Sequence, residues 1–337
     1  MRAAVYRVPG VMDVVEVELP RVGPADVLID VQACGVCGSD VASYLHGHYV
    51  DTGQVMGHEL CGRVSEIGVE VVGLVVGTLV AVKPMRSCGN CGYCQEGSTN
   101  LCAETLGQSL GYGVLGGFCQ QVLIPNVIIG RDVYPLPPSV DPLDAIWAEP
   151  LAVALHAVHL AGIDDQTPLV VLGGGSVGLC VATAALAEGC PRVTVVEPRV
   201  ERREAAVSLG ALAVDPAVED ACEDSLVVID CSGSLTALEH ATGSMRPGGS
   251  LVLVGLGEDP VPWGRGSVQV IGSFAYTDSE FARAVELIVS GQSLLSSLVT
   301  NVFELEDTSN AIVQSASAMT VVKVAITPNG PLTERAQ

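Results

Sequence analysis

Apolar and β-branched positions dominate the first third of the chain. Residues 26–33 run aliphatic into Cys34-Gly35-Val36-Cys37-Gly38-Ser39-Asp40, which reads as a strand ending in a glycine-loosened turn. Turn signals at Pro9-Gly10 and Gly23-Pro24 divide residues 1–35 into short strands. Residues 43–49, containing His46, Gly47 and His48, read as a loop. Residues 64–67 and the valine-rich stretch 69–82, punctuated by Gly73 and Gly77, read as strands joined by tight turns. Residues 116–125 form another strand, and 135–142 a proline-marked connection. The texture changes near Asp144. Residues 145–162 carry Ala and Leu with few breakers and predict a helix. From Leu169 the pattern becomes strand (169–172), glycine turn (173–178), helix (179–188) and strand (192–197). Further apolar strands follow at 226–230, 250–255 and 268–271. This alternation predicts parallel strands joined by crossover helices. A helix over 279–291 and a strand over 321–326 come last, the strand returning to the β-rich first part. The expectation is an α/β chain in which a β-rich domain (1–144 with 275–337) is split around an inserted, doubly wound parallel-sheet domain (145–274).

Length and charge narrow the partners. A chain of 337 residues suggests about two domains. The formal net charge of −22 argues against nucleic acid and anionic membrane, since both need a basic footprint. Every long apolar run is broken by Gly, Pro or a charge before about 18 residues, so no membrane span is expected. Twelve cysteines, with no signal-peptide pattern at the start, point to metal ligands and buried thiols instead of a disulfide framework. A cytoplasmic location is expected.

Two motifs carry specific chemistry. Cys88, Cys91, Cys94 and Cys102 fall within one glycine-rich loop. Four thiolates so spaced can close a tetrahedral shell around a structural zinc; an iron–sulfur cluster is the rival occupant. The turn Gly173-Gly174-Gly175-Ser176-Val177-Gly178 lies between a predicted strand and helix, the context a dinucleotide-binding turn needs. Gly173 permits the tight turn, and Gly175 lets a pyrophosphate approach the helix N-terminus beside Ser176 and Val177. Gly178 allows close helix–strand packing. Glu197 ends the next strand, where a carboxylate accepts hydrogen bonds from ribose and repels a 2′-phosphate. NAD is therefore favoured over NADP. Arg199, Arg202 and Arg203 complicate that preference; they read as the solvated face of the following helix, with Arg202 retained as a candidate cofactor contact.

Cys37, His58, Glu59 and Glu149 are all able to bind zinc. The run Cys37-Gly38-Ser39-Asp40, then Gly57-His58-Glu59, the four-cysteine loop, Glu149-Pro150-Leu151 and the glycine turn resembles, in this order, the zinc-dependent medium-chain dehydrogenases. The similarity spans essentially the whole chain, and Glu149-Pro150-Leu151-Ala152-Val153 looks most like the sorbitol, polyol and aminocyclitol branch. The resemblance implies a GroES-like β-rich catalytic domain around a Rossmann domain. It also implies Cys37 and His58 as ligands of a catalytic zinc, with Glu59 a third ligand or a carboxylate beside the metal. Glu149 matches the position where the family's alcohol dehydrogenases carry a ligating cysteine; in the polyol branch a glutamate there ligates directly or holds the zinc-bound water. Two zinc ions per chain follow, the four-sulfur one being held more tightly against chelators.

The implied reaction activates an alcohol as its alkoxide, which gives hydride to the nicotinamide. Ser39 receives the hydroxyl proton. The substrate class would be a polyol, sugar or cyclitol-like secondary alcohol and its ketone. An amino alcohol, a simple secondary alcohol, or a non-catalytic zinc- and nucleotide-binding regulator are the alternatives. A homodimer or homotetramer is implied as well. One departure stands out: many relatives carry a histidine five residues after the zinc-binding cysteine, and here that residue is Ala42. Cys34 and Cys61 read as core residues, and His156 and His159 as packing or surface groups. Tyr44, Phe118, Trp147 and Tyr276 are divided between pocket wall and core.

Overall fold

The structure, a computed structural model, describes residues 1–255, 268–293, 295–317 and 322–332. It divides into two compact units: Met1–Glu149, Phe281–Ser290 and Ser296–Gln337 in the first, and Pro150–Glu280 and Gly291–Leu295 in the second.

The first unit opens with an antiparallel hairpin of β1 (Arg2–Val8) and β2 (Val11–Glu16). Its main sheet has seven strands: β3 (Val27–Gly35), β4 (Glu59–Ile67), β5 (Leu79–Val82), β6 (Gln121–Ile124), β7 (Val133–Pro135), β14 (Val299–Glu304) and β15 (Lys323–Thr327). Their order is β14-β15-β3-β4-β5-β7, with β6 also paired to β3. Strand β3 is central, and its near-continuous aliphatic run is what burial on both faces requires. Around it pack Met56, Leu60, Phe118, Ile124 and Ile326. Burying Phe118 completely contributes about 2–3 kcal/mol. Four helices, α1 (Gly38–His46), α2 (Gly92–Gln95), α3 (Thr105–Gln108) and α4 (Pro142–Ala145), join these strands, and α10 (Thr308–Ser317) lies between β14 and β15.

Two local expectations fail here. Residues 43–46 are the last turn of α1, not a loop. Val41, Tyr44 and Leu45 recur at helical spacing, and Gly47 ends the helix in the left-handed region at φ 74°. The valine-rich stretch is not all strand. Strand β4 ends at Ile67, and Val69, Val72, Val75 and Val76 are exposed before β5 begins at Leu79. Their β propensity is overridden because Gly73 and Gly77, both at positive φ, turn the chain, which rejoins β4 only at Gly77 and Thr78.

The second unit is a parallel six-stranded sheet of β8 (Leu169–Leu172), β9 (Val193–Val196), β10 (Leu212–Val214), β11 (Val227–Asp230), β12 (Ser250–Leu253) and β13 (Gln269–Gly272). The order is β10-β9-β8-β11-β12-β13, which reverses direction at β8 and is the strand order of a doubly wound dinucleotide fold. Its helices are α5 (Ala148–Ala161), α6 (Ser176–Ala187), α7 (Val200–Ser208) and α8 (Leu235–Ser244), while α9 (Asp278–Val289) falls mostly in the first unit. Part of the connection between β12 and β13 lies outside the described residues.

His156 and His159 do more than pack. Their Nδ1 atoms, one turn apart on α5, both meet the Glu280 carboxylate, at 3.0 and 2.9 Å. Thr277 adds its backbone N–H at 2.7 Å and its hydroxyl at 2.9 Å. Burial alone would raise the Glu280 pKa, but these hydrogen bonds outweigh it and hold the carboxyl well below the usual range. A depressed carboxylate contributes stability above its unfolded pKa, about 4.3, which is lost as pH falls through the folded value. Urea unfolding of dilute protein should therefore show wild type more stable than Glu280→Gln at pH 7. The gap should begin to narrow only as pH falls below about 4.3 and keep shrinking toward the folded value; a gap that stays constant from about pH 4.3 down to about pH 3 would contradict the assignment.

Candidate metal and active site

Strand β3 delivers Cys37 two residues past its end. Cys37 is the N-cap of α1, and Asp40, at the third helical position, reaches back to accept its backbone N–H at 2.9 Å. The other Asp40 oxygen accepts the Gly57 N–H at 3.3 Å. One buried carboxylate thus ties the Cys37 turn to the segment carrying His58. The Nδ1 of His58 faces Asp40 at 3.7 Å and has no hydrogen-bond partner among the described residues. With Nδ1 turned to the acid, Nε2 is the nitrogen left for a metal, the arrangement that orients ligating histidines.

Glu59 begins β4 directly opposite Gly35 of β3. A side chain at position 35 would collide with its carboxylate, so glycine is required there. Ligand atoms of Cys37, His58 and Glu59 lie within 4.8 Å of one another. Glu149 lies outside that trio, buried, and interacts with all three. Burial pushes its carboxyl up to about 8. Burial, then Glu59 and Asp40, push the Cys37 thiol up to about 12. Acids crowded into one buried space resist ionisation until a cation joins them, and a sulfur, a ring nitrogen and carboxylate oxygens are the donors zinc takes. The residues fit the ion.

Two neighbours were not visible in the sequence. Lys323 of β15, fully buried, places its ammonium on the Glu59 carboxylate. It also donates to the Val36 carbonyl at 3.3 Å and lies 5.3 Å from the centre of the Trp147 ring. It is one of only two lysines in the chain, and a charge inside an apolar strand was the available clue. Tyr112 places its hydroxyl 2.9 Å from that of Ser39 and its ring 5.1 Å from the His58 ring. No pattern in the sequence marked it. Tyr44, Phe118, Trp147 and Tyr276 are all buried, and the Tyr44 hydroxyl donates to the Gly10 carbonyl at 2.7 Å. Cys34 is fully buried, and the Cys61 thiol meets the Pro142 carbonyl. His46 and His48 sit with ring centres 5.6 Å apart at the end of α1.

The four-cysteine loop is equally compact. Sγ separations are 3.5 Å for Cys91–Cys94 and 3.9 Å for Cys88–Cys94. Sulfurs about 2.3 Å from one tetrahedral ion stand about 3.8 Å apart. The Cys88 N–H points at Cys102 Sγ and the Cys91 N–H at Cys88 Sγ, each at 3.4 Å. Such donors stabilise thiolates, and the Cys88 N–H draws the Cys102 thiol down to about 6.

In the second unit, Gly173 leaves β8 at φ 93° and α6 opens at Ser176 and Val177. Any side chain at Gly178 would strike the Gly173 carbonyl. Glu197 follows β9 and is buried; its carboxylate accepts the N–H of Gly174 at 2.8 Å and of Arg199 at 3.0 Å. The arginines are not a solvated face. Arg202 brings its guanidinium to 3.9 Å from Glu197, and its Nη1 is the nearest atom to a Cβ built on Gly175. Arg203 donates to the carbonyls of Glu197 and Pro198 and pairs with Asp215 at 3.1 Å.

Comparison with known proteins agrees with this arrangement. Residues 23–137 match the alcohol dehydrogenase GroES-like domain, and residues 176–290 match the zinc-binding dehydrogenase family. L-idonate 5-dehydrogenase of Vitis vinifera is 31% identical over 332 residues, covering 91% of this chain and 89% of its own. Sorbitol dehydrogenase of Arabidopsis thaliana is 32% identical over 338 residues, covering 90% of each. A Sinorhizobium meliloti protein whose crystal structure holds NADP superposes with a TM-score of 0.87 at 30% identity, over 97% of this chain and 99% of that one. With relatives of this similarity along nearly its full length, the chain belongs to the zinc-dependent medium-chain alcohol dehydrogenase family and is an oxidoreductase acting on alcohols.

Proposed function

We propose that the enzyme uses two zinc ions per chain and NAD to oxidise a secondary hydroxyl of a polyol, sugar or cyclitol-like substrate. The observation that carries this reading is the trio of half-buried Cys37 with buried His58 and Glu59, their ligand atoms within 4.8 Å of one another. Cys37 and His58 hold the catalytic ion, joined by Glu59 or Glu149, while Cys88, Cys91, Cys94 and Cys102 hold the structural one. Zinc so bound supplies a Lewis acid that eases removal of a hydroxyl proton and, in reverse, polarises a carbonyl. The protein's own part begins with Ser39, two residues from Cys37, whose hydroxyl receives the substrate's proton. Asp40 fixes the turn that carries both residues, and Lys323 holds Glu59 in place.

The first unit takes the catalytic role, and the second the dinucleotide at Gly173, Gly175, Ser176, Val177 and Gly178. The buried Glu197 carboxylate favours NAD by repelling a 2′-phosphate. Arg202 partly offsets that repulsion, and the S. meliloti relative was crystallised with NADP, so NADP is the secondary cofactor. The polyol class is supported by the relatives named for L-idonate and sorbitol. A cytoplasmic homodimer or homotetramer completes the reading. Among the described residues no helix is long and apolar enough to cross a membrane.

Metal analysis and a coupled screen test this reading. The expected result is two zinc per chain and NADH formation on vicinal diols. One zinc per chain would remove the catalytic ion. Turnover confined to monofunctional alcohols or amino alcohols would remove the polyol assignment.

A further inference from the structure

We propose that Tyr112 is a positioning residue for proton transfer, setting the orientation of the Ser39 hydroxyl. The inference rests on the reading of Ser39 as first proton acceptor. A serine hydroxyl rotates freely unless a partner fixes it. To accept a proton, Ser39 must keep a lone pair toward the substrate and turn its own O–H elsewhere. The Tyr112 oxygen, 2.9 Å away, is an acceptor for that O–H. In the reverse direction Ser39 must give a proton, and Tyr112 then serves as the donor into its oxygen. A phenol hydroxyl can do both, and either atom of this pair can be the donor.

The surroundings hold the phenol in place. Its ring lies 5.1 Å from the His58 ring at an angle of 38°, so the element carrying a metal ligand also sets where the Tyr112 oxygen stands. The other polar groups nearby are committed: Asp40 accepts the N–H groups of Cys37 and Gly57, and Glu59 is paired with Lys323. Three residues beyond Ser39 on α1 stands Ala42, which offers no hydrogen bond. Besides the Cys37 sulfur, which the Ser39 hydroxyl also meets and which is the proposed metal ligand, Tyr112 is the group aimed at Ser39.

The test is a double-mutant cycle of Tyr112→Phe and Ser39→Ala in the zinc-loaded enzyme, followed by kcat, KM and the solvent deuterium isotope effect. Loss of one hydrogen bond at the transferring atom predicts roughly a tenfold lower kcat for Tyr112→Phe, with KM within about twofold. The solvent isotope effect should rise, because proton transfer becomes slower relative to hydride transfer. Zinc content and the rate of zinc loss to a chelator should match wild type. In the Ser39→Ala background, Tyr112→Phe should cost nothing further. The same tenfold loss in both backgrounds would overturn the proposal while leaving Ser39 as acceptor, since Tyr112 would then act through packing on His58. A Ser39→Ala enzyme with wild-type kcat would overturn the Ser39 reading itself, and the proposal with it.

Discussion

Replacing Cys37 by alanine is expected to leave one zinc per chain and to lower turnover by at least about a thousandfold. Lewis-acid stabilisation by a catalytic zinc is worth several kcal/mol, and about 4 kcal/mol corresponds to that factor. Cys37 contributes the only thiol of the trio, and its loss leaves His58 with carboxylates that release the ion readily. Folding should survive, because the four-cysteine loop, the proposed site of the other ion, is a separate cluster of the first unit. The result therefore separates the two metals. Metal analysis should fall from two zinc to one, with circular dichroism unchanged, while brief chelation of the wild type should reach the same end point. A Cys37→Ala enzyme retaining two zinc, or one losing zinc yet turning over within tenfold of wild type, would refute the assignment.

The second large effect is on stability. Lys323→Met should destabilise the metal-stripped protein by about 3–5 kcal/mol, the usual cost of removing one partner from a buried ion pair. The Glu59 carboxylate would keep its burial and lose its counterion. At a few degrees per kcal/mol, the melting temperature should fall by roughly 10 °C. The companion variant Lys323→Met/Glu59→Gln removes the stranded charge and should recover most of the loss, since a paired charge adds little over a neutral substitute. Thermal melts of the four proteins in the cycle decide the matter. A single mutant melting with wild type, or a double mutant no better than the single, would show that the pair does not hold the site.

What could be read from the sequence depended on the distance over which each residue acts. The four cysteines and the glycine turn are local: their meaning lies within a few residues, so spacing alone identified them. Cys37, His58, Glu59 and Glu149 are scattered, yet each stands in a short recognisable stretch, and the structure brings the first three together. Tyr112 meets a residue 73 positions away and Lys323 one 264 positions away; Tyr112 carries no flanking pattern, and the apolar strand around Lys323 does not name its partner. His156 and His159 looked like filler until Glu280, more than 120 residues later, supplied their partner. The arginines after Glu197 failed differently. Charges on a helix usually face water, but Arg202 turned toward the buried Glu197 carboxylate and Arg203 toward two backbone carbonyls and Asp215. Residues 43–46 failed because Gly47 and two histidines suggested a loop, while the cap at Cys37 and Asp40 had already begun a helix.

Strand β15 pairs with β3 through Ala325↔Gly35 and Ile326↔Cys34, so the central strand of the first unit is completed by a segment translated long after it. The dinucleotide unit, nearly continuous in sequence, has all six of its strands available before then. At ribosomal speeds of about 5–20 residues per second, Glu59 waits roughly 13–50 seconds for Lys323 to emerge. Through that interval the acidic cluster has neither its counterion nor the edge that closes it. Non-local pairings of this kind are slow to form and leave apolar strand edges uncovered. Emergence of β15, more than the fold of either unit alone, is the event on which a closed active site depends.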